Sequence, residues 1–380
     1  MKRNWYYVMI IIASLSIWAC SSEGGDDDTT GGNNGGAPPT NVVFDRGALL
    51  ENWADNIIIP SYVNFNASLV TLQNAYQDLN ADISEANLIA FRTAWSNAYL
   101  AWQPASIFEN GPAEDIGLHL NINTYPTSVS DIESNITNGG YNLSLPSNRD
   151  TKGFPALDYL INGSADTDEE IVNILSQGNY LTYLEDIISD MSTLSNGVLN
   201  EWQNGFRDTF VNNDGSSATA SVDRMVNDYI FYYEKFLRAG KMGIPLGVFS
   251  GTPAPNTLEA FYQSDRGKVF FLEGLDAVQD FFNGKHLNSS QTGESLFNYL
   301  EALNTVKDGE NLGDIINDQF DLARTMINGL GEFRDEIENN NPPVQMLTAY
   351  DEVQRIVPLL KVDMVSALSI SVDFVDADGD

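Results

Sequence analysis

Ser84 to Trp102 reads SEANLIAFRTAWSNAYLAW, and its reading decides the class of fold. Leu88, Phe91, Trp95, Tyr99 and Trp102 recur at spacings of three and four, the period of one face of an α-helix. Ser84 stands just before the first turn, where its hydroxyl can accept one of the backbone N–H groups that a helix start leaves free. A stripe this rich in large rings belongs in a core. Toward the N-terminus, Leu49, Leu50, Trp53 and Ile57 line a helical face, Pro60 is expected to break or kink it, and Leu69, Leu72, Tyr76 and Leu79 continue a second stretch. Toward the C-terminus, Asn110-Gly111-Pro112 stops the helix, and a long irregular region follows to Lys152, with Pro126, Gly139-Gly140 and Pro146. Loops of that length inside a domain are usually functional or disordered, so this one is a candidate wall for a site.

The same period governs the rest. Leu181, Leu184, Ile188, Met191, Val198, Trp202, Phe206 and Phe210 stay in phase up to the turn signal Asn212-Asn213-Asp214-Gly215. Beyond it, Val222, Met225, Val226, Tyr229, Tyr233 and Phe236 mark one helix, and Phe271, Leu275, Val278 and Phe282 another. Ile315, Gln319, Leu322, Met326, Leu330 and Phe333 mark a third, and a last helical stretch runs from Pro343 to about Leu368, interrupted at Pro358. Alternation of period two is confined to Leu118–Asn123 and Ile370–Phe374, each too short for a sheet domain. The fold class is therefore all-α, two helical-bundle-like halves with long irregular loops, divided into 42–213 and 214–380 at the turn. GLDAVQDFFNG (Gly274 to Gly284) echoes GFPALDYLING (Gly153 to Gly163), which hints that the halves arose by duplication.

The N-terminus reads as an address. Met1-Lys2-Arg3, an apolar run from Tyr6 to Ala19 and a small residue before Cys20 make a secretory signal over residues 1–20, too short to span a bilayer. Cys20 is the single cysteine of 380 residues, so no internal disulfide can form. Its place after Ala19 resembles the lipobox of bacterial lipoproteins, in which that cysteine becomes the lipidated first residue. Several acyl chains would hold the protein stably at a membrane, since each buried CH₂ adds about 0.8 kcal/mol. Residues 21–41 are Ser, Gly, Asp, Thr, Asn and Pro with hardly an apolar side chain, and read as a disordered tether. Glu23 and Asp26-Asp27-Asp28 just after Cys20 resemble the export signals of surface lipoproteins in the Bacteroidetes. The expected location is the outer membrane, facing the periplasm or the cell surface.

The formal net charge is −34, and removal of Lys2 and Arg3 with the signal, no acid being lost, takes it to −36. That excludes nucleic acid and anionic lipid surfaces as partners, since both demand clustered Lys and Arg.

Chemistry concentrates on Arg149 to Gly163, RDTKGFPALDYLING. Pro155 and Asp158 lie three apart and share one face of a helix expected to start at about Phe154, where a proline is tolerated because the first turn needs no donor. Proline offers no donor, acceptor or metal lone pair. The plain alternative is a helix start whose Phe154, Leu157, Leu160 and Ile161 are simply core.

The chain resembles the imelysin-like family over nearly all of its length beyond the tether. The likeness rests on GFPALD, on FRTAWSNAYLAWQPASIFENGP (Phe91 to Pro112), on INTYPTSVSDIES (Ile122 to Ser134), on NTLEAF and LEGLDAVQDFFNG (Asn256 to Gly284), and on the terminal VDFVDADGD. In that family the motif is G-x-H-x-x-E, whose His and Glu form a metal or catalytic pair. Here Gly153 is kept, Pro155 replaces the His and Asp158 the Glu. The resemblance implies a secreted or lipid-anchored helical protein, often iron-regulated, with a site where two halves meet, and part of the family is classed as M75-like metallopeptidases. The loss of the imidazole at Pro155 argues against peptidase activity. The motif helix with Gly153, Pro155 and Asp158 is the candidate ligand or metal site. Tyr125, Asp131 and Arg149 are its candidate wall.

Other chemistries fare worse. A zinc peptidase needs several His or carboxylate ligands and a base, and only His119 and His286 exist, neither in H-E-x-x-H. A di-iron bundle needs Glu-x-x-His, but Ile116 and Asn283 stand three before the two histidines. No G-x-S-x-G, phosphate loop or dinucleotide fingerprint occurs. Oxygen-rich binding of iron or calcium survives, since carboxylates and phenols are plentiful. Asp376-Ala377-Asp378-Gly379-Asp380 looks like the start of a calcium loop that lacks its distal Glu. The expected function is a lipid-anchored envelope binding protein linked to iron or haem uptake, partnered by the membrane through Cys20 and by iron, haem or an envelope uptake protein. A divergent metallopeptidase and a surface adhesin or scaffold without a small ligand are the alternatives.

Overall fold

From Arg46 to Ala81 the chain runs as one rod: α1 (Arg46–Asn52), a π-helical stretch (Trp53–Ile58) and α2 (Ile59–Ala81). The computed structural model describes residues 44–372. Cys20, the signal, the tether and the acidic terminal loop lie outside the described residues. Pro60 does not break the rod. It falls in the first turn of α2, after the π turns, whose wider i→i+5 bonding leaves room at the carbonyl that a proline ring would strike in a regular helix. A short turn then reverses the chain into α3 (Glu85–Ala105), and Ser84 caps it by accepting from the Asn87 N–H at 3.4 Å. α2 and α3 form the most extensive helix pair, with Phe65 packed on Trp102, ring centroids 5.1 Å apart.

The region after α3 is less irregular than its glycines and prolines predict. It holds α4 (Pro112–Ile116), α5 (Leu118–Ile122) and α6 (Val129–Asn138), and a 3₁₀ segment (Pro146–Thr151). The alternation over Leu118–Asn123 is thus helical, since a five-residue turn cannot show its period and only packing decides it. Gly117, at φ +59°, joins α4 to α5 in the left-handed region that favours glycine.

α7 (Gly153–Asp158) runs into a π stretch (Tyr159–Gly163), and α8 (Asp168–Leu175) follows, capped by Thr167. α9 (Tyr180–Glu201) lies along α2, and α10 (Arg207–Val211) ends at the turn around Asn213. α11 (Ser221–Phe231) continues into a π-helical stretch, Tyr232–Gly243. α12 (Gly267–Phe282), α13 (Leu296–Ala302), a two-stranded ribbon of β1 (Val306–Lys307) and β2 (Glu310–Asn311), α14 (Leu312–Asn328) and α15 (Phe333–Glu338) come next. α16 (Val344–Pro358), a π stretch (Leu359–Met364) and α17 (Val365–Leu368) close the described chain. Pro358, like Pro60, is accommodated next to a π stretch and does not interrupt the rod.

The all-α class stands, with one small ribbon among the described residues as its departure. α2, α3 and α9 pack together before the Asn213 turn; α12, α14, α16 and the Tyr232–Gly243 stretch pack together after it. Aromatic rings join the two groups: Phe270 of α12 sits 4.5 Å from Tyr99 and 6.1 Å from Trp95, and Phe281 sits 4.8 Å from Trp53. The described residues therefore share one core across the turn.

Candidate functional site

The motif helix is set by its glycine. Gly153 has φ +74°, and a Cβ there would lie 2.1 Å from the Ile122 carbonyl oxygen, so α7 can start against α5 only without a side chain. Pro155 follows in the first turn, where its missing N–H removes no helical bond. Phe154 stacks on Tyr99 with centroids 4.2 Å apart, and the Trp95 indole donates to the Phe154 carbonyl at 3.2 Å. These contacts lock α7 against α3.

Pro155 and Asp158 line a cavity of about 100 Å³ together with Tyr125, Pro126, Phe261 and Tyr262. Asp158 is 1% exposed and its oxygens are occupied. One accepts from the Tyr262 N–H at 2.9 Å, the other from the Gln263 N–H at 3.0 Å and the Asn162 side-chain amide at 2.9 Å. Burial pushes its pKa up to about 7, against those hydrogen bonds and the Arg334 guanidinium, which favour the charged form. Arg334, 176 positions from Asp158 in sequence, is the cation whose charge Asp158 feels.

The expected wall is divided. Tyr125 lines the cavity. Asp131 is exposed in the first turn of α6, where it accepts from Ser128 at 2.8 Å, and is not among the residues lining the cavity. Arg149 belongs to the 3₁₀ segment; its guanidinium faces Gly117 and lowers the pKa of Glu109, which burial nonetheless raises to about 7. Neither Asp131 nor Arg149 meets the motif helix at this cavity.

Sequence reasoning missed the polar network behind it. Lys241, on the Tyr232–Gly243 stretch, donates to Glu259 in a short contact and to Gln103 at 2.8 Å; the two charged side chains are 3% and 1% exposed. Glu259 accepts from Asn123 at 2.8 Å, and Asn123 accepts in turn from the Tyr99 hydroxyl. Burial lowers the pKa of Lys241, and Glu259 offsets only part of this. Tyr125 connects the network to the cavity: its hydroxyl lies over Gly240, 3.1 Å from where a Cβ would stand, and its phenol pKa is driven up by burial and by Glu259. Leu258 and Ala260, the neighbours of Glu259, line the cavity. The one available signal was NTLEAF, whose Glu259 sits between apolar residues; nothing in sequence pairs it with Lys241.

The histidines stand apart. His119 is buried, stacks on Phe236 with centroids 3.6 Å apart, and burial drives its pKa down to about 3, so it is neutral. His286 is half-buried, next to the Lys285–Thr292 bridge. Among the described residues no three His, Cys, Asp or Glu side chains gather as ligands of one metal ion would. As built, the arrangement holds charge in fixed hydrogen bonds.

Fold and cavity define a class: an all-helical protein of two packed helix groups, sewn together by a buried Lys–Glu network next to a motif helix. The family model of imelysin, peptidase family M75, matches residues 58–359, and the chain belongs to that family. It is 25% identical over 155 residues to the iron-regulated protein A of Synechococcus elongatus, a match spanning 40% of each chain. A crystal structure from Parabacteroides distasonis, described as an iron-regulated protein A precursor, superposes with a TM-score of 0.68 at 16% identity, covering 87% of this chain and 97% of its own. An imelysin-like protein from Psychrobacter arcticum gives 0.67 at 16%, with the same coverage. At such identities the two structures speak for the fold.

Proposed function

We propose that this chain is a binding member of the imelysin family, anchored in the outer membrane through a lipid on Cys20 and serving iron uptake in the cell envelope. The observation that carries the reading is the state of the motif helix: α7 is kept in place by Gly153, yet position 155 is proline and both oxygens of Asp158 are held by backbone N–H groups. A metallopeptidase needs an open metal position and a base, and this helix supplies neither. The names of the relatives support the link to iron. Size weighs against haem at this cavity: it measures about 100 Å³, whereas sites for drug-sized molecules run to about 300–1,000 Å³.

Three measurements on one culture test this. Iron limitation is expected to raise the protein's abundance, fractionation to place it with the outer membrane, and Cys20→Ala to release it folded. Constant abundance with and without iron would remove the uptake role, retention of Cys20→Ala in the membrane would remove the anchor, and cleavage of a peptide library by the purified chain would restore the peptidase.

A further inference from the structure

Glu133 of α6 is a carboxylate with two phenols where a cation would be expected. Tyr159 donates to one of its oxygens at 2.8 Å and Tyr180 to the other at 2.5 Å. The three side chains come from three elements: α6, the π stretch that follows the motif helix, and the first residue of α9. No Lys or Arg pairs with Glu133 among the described residues. Tyr159 is buried, its ring 5.5 Å from that of Tyr262, while Glu133 and Tyr180 are half-buried, so the cluster is reachable from solvent. Tyr141 on Asp186 and Tyr76 on Glu185 are single phenol–carboxylate pairs, and Glu133 differs from both in receiving two phenols.

These bonds tie α6 to the π stretch and to α9, which a structural clasp would also do. Two features go beyond a clasp. The first is spacing: an octahedral ion with metal–oxygen bonds of about 2.0–2.1 Å has neighbouring ligand oxygens about 2.8–3.0 Å apart. The phenol oxygens already stand close to that distance from the carboxylate oxygens with which they would share an ion. The second is donor type. Calcium and magnesium take carboxylate, carbonyl and water oxygens, whereas phenolate suits a harder, trivalent ion. Burial and Glu133 raise the pKa of both phenols, that of Tyr180 to about 12, so their protons leave at neutral pH only to a strong Lewis acid. The balance then closes: one bond forms to each phenol oxygen and one to the carboxylate, and two protons pass to solvent. Two phenolates and one carboxylate neutralise the three charges of the ion, and no electron moves.

We propose that Glu133, Tyr159 and Tyr180 form a ferric-iron site, separate from the cavity at Asp158, with water in the remaining positions. The donor set asks for a hard trivalent ion, and the choice of iron rests on the uptake reading above. Titration of the whole chain with ferric nitrilotriacetate tests it. One equivalent is expected to raise a visible phenolate-to-iron charge-transfer band, and resonance Raman excitation within that band to show phenolate ring modes. Tyr159→Phe, Tyr180→Phe and Glu133→Gln should each weaken binding at least tenfold, and the double phenylalanine variant should lose the band. Tyr141→Phe should leave it unchanged. No band, no phenolate modes in the unaltered protein, a band that survives the double variant, or one that vanishes in Tyr141→Phe would each overturn the proposal. Abundance that responds to iron without a band would strike the site and spare the uptake role, and a band with constant abundance would do the reverse.

Discussion

The carboxylate of Asp158 accepts a hydrogen bond from the backbone N–H of Tyr262 at 2.9 Å across 104 positions of sequence. The same carboxylate takes the Gln263 N–H, so one side chain of the motif helix stitches down the segment that carries Glu259. Removing it strands two part-buried backbone donors, along with the Asn162 amide. Asp158→Ala is expected to lower stability by about 2–6 kcal/mol, on the order of 1–3 kcal/mol per orphaned backbone donor. A urea unfolding midpoint unchanged from wild type would show that the segment is held by other means.

The same group makes a signed prediction in pH. Its folded pKa, about 7, lies above the ordinary 3.8, so between those values the folded state binds more proton than the unfolded one. Stability from this group is therefore greatest below pH 4, falls as pH rises to 7, and is constant above, with a slope of at most about 1.4 kcal/mol per pH unit. Asp158→Asn lacks that slope. Its stability relative to wild type should improve steadily from pH 4 to pH 7, and a flat difference across that window would contradict the burial cost assigned to Asp158.

Lys241 and Glu259 should behave as a pair. Lys241→Met or Glu259→Gln alone leaves a buried charge without its partner and is expected to cost about 3–5 kcal/mol. The double variant should recover a substantial part of the summed loss, because it removes both charges. Strict additivity in a double-mutant cycle would mean that the two do not interact.

Gly153→Ala is expected to destabilise by about 2 kcal/mol or more, since a left-handed backbone and a Cβ 2.1 Å from the Ile122 carbonyl act together. Gly139→Ala, also at positive φ but with nothing within 4 Å of its Cβ, isolates the backbone part and should cost less. Equal thermal shifts for the two would deny the close approach of α7 to α5.

Asp351, Glu352 and Arg355 look alike as surface charges in sequence, and the structure separates them. Glu352 is half-buried, accepting from Gln319 at 3.0 Å and from Arg355 at 2.6 Å, while Asp351 and Arg355 are exposed. Alanine at Asp351 or Arg355 should shift stability by less than about 0.5 kcal/mol, and at Glu352 by about 1 kcal/mol. Equal shifts in thermal unfolding would return Glu352 to the surface.

Helical phase was legible because it is a local property. Leu88, Phe91, Trp95, Tyr99 and Trp102 all face the core of α3 as their spacing requires, since 3.6 residues per turn leaves them no other common face. Ser84 caps where its place before the first turn put it. The sharing of one face by Pro155 and Asp158 was local as well. The short helices α4 and α5 were not, because five residues carry no period. The survival of the rods through Pro60 and Pro358 was also hidden, since it depends on π turns that packing imposes.

What the amino-acid sequence determined by itself is the helical class and a proline at position 155, three before Asp158, where no side-chain donor or acceptor can stand, both of which follow from neighbours in the chain. Only the tertiary structure decided which charges meet. Asp158 faces Arg334 and the Tyr262 amide, and Lys241 faces Glu259, while Asp131 and Arg149 turn elsewhere. The reason is physical: a buried charge is tolerable only beside a partner, and partners on different elements are selected by how the chain packs, which local sequence does not encode.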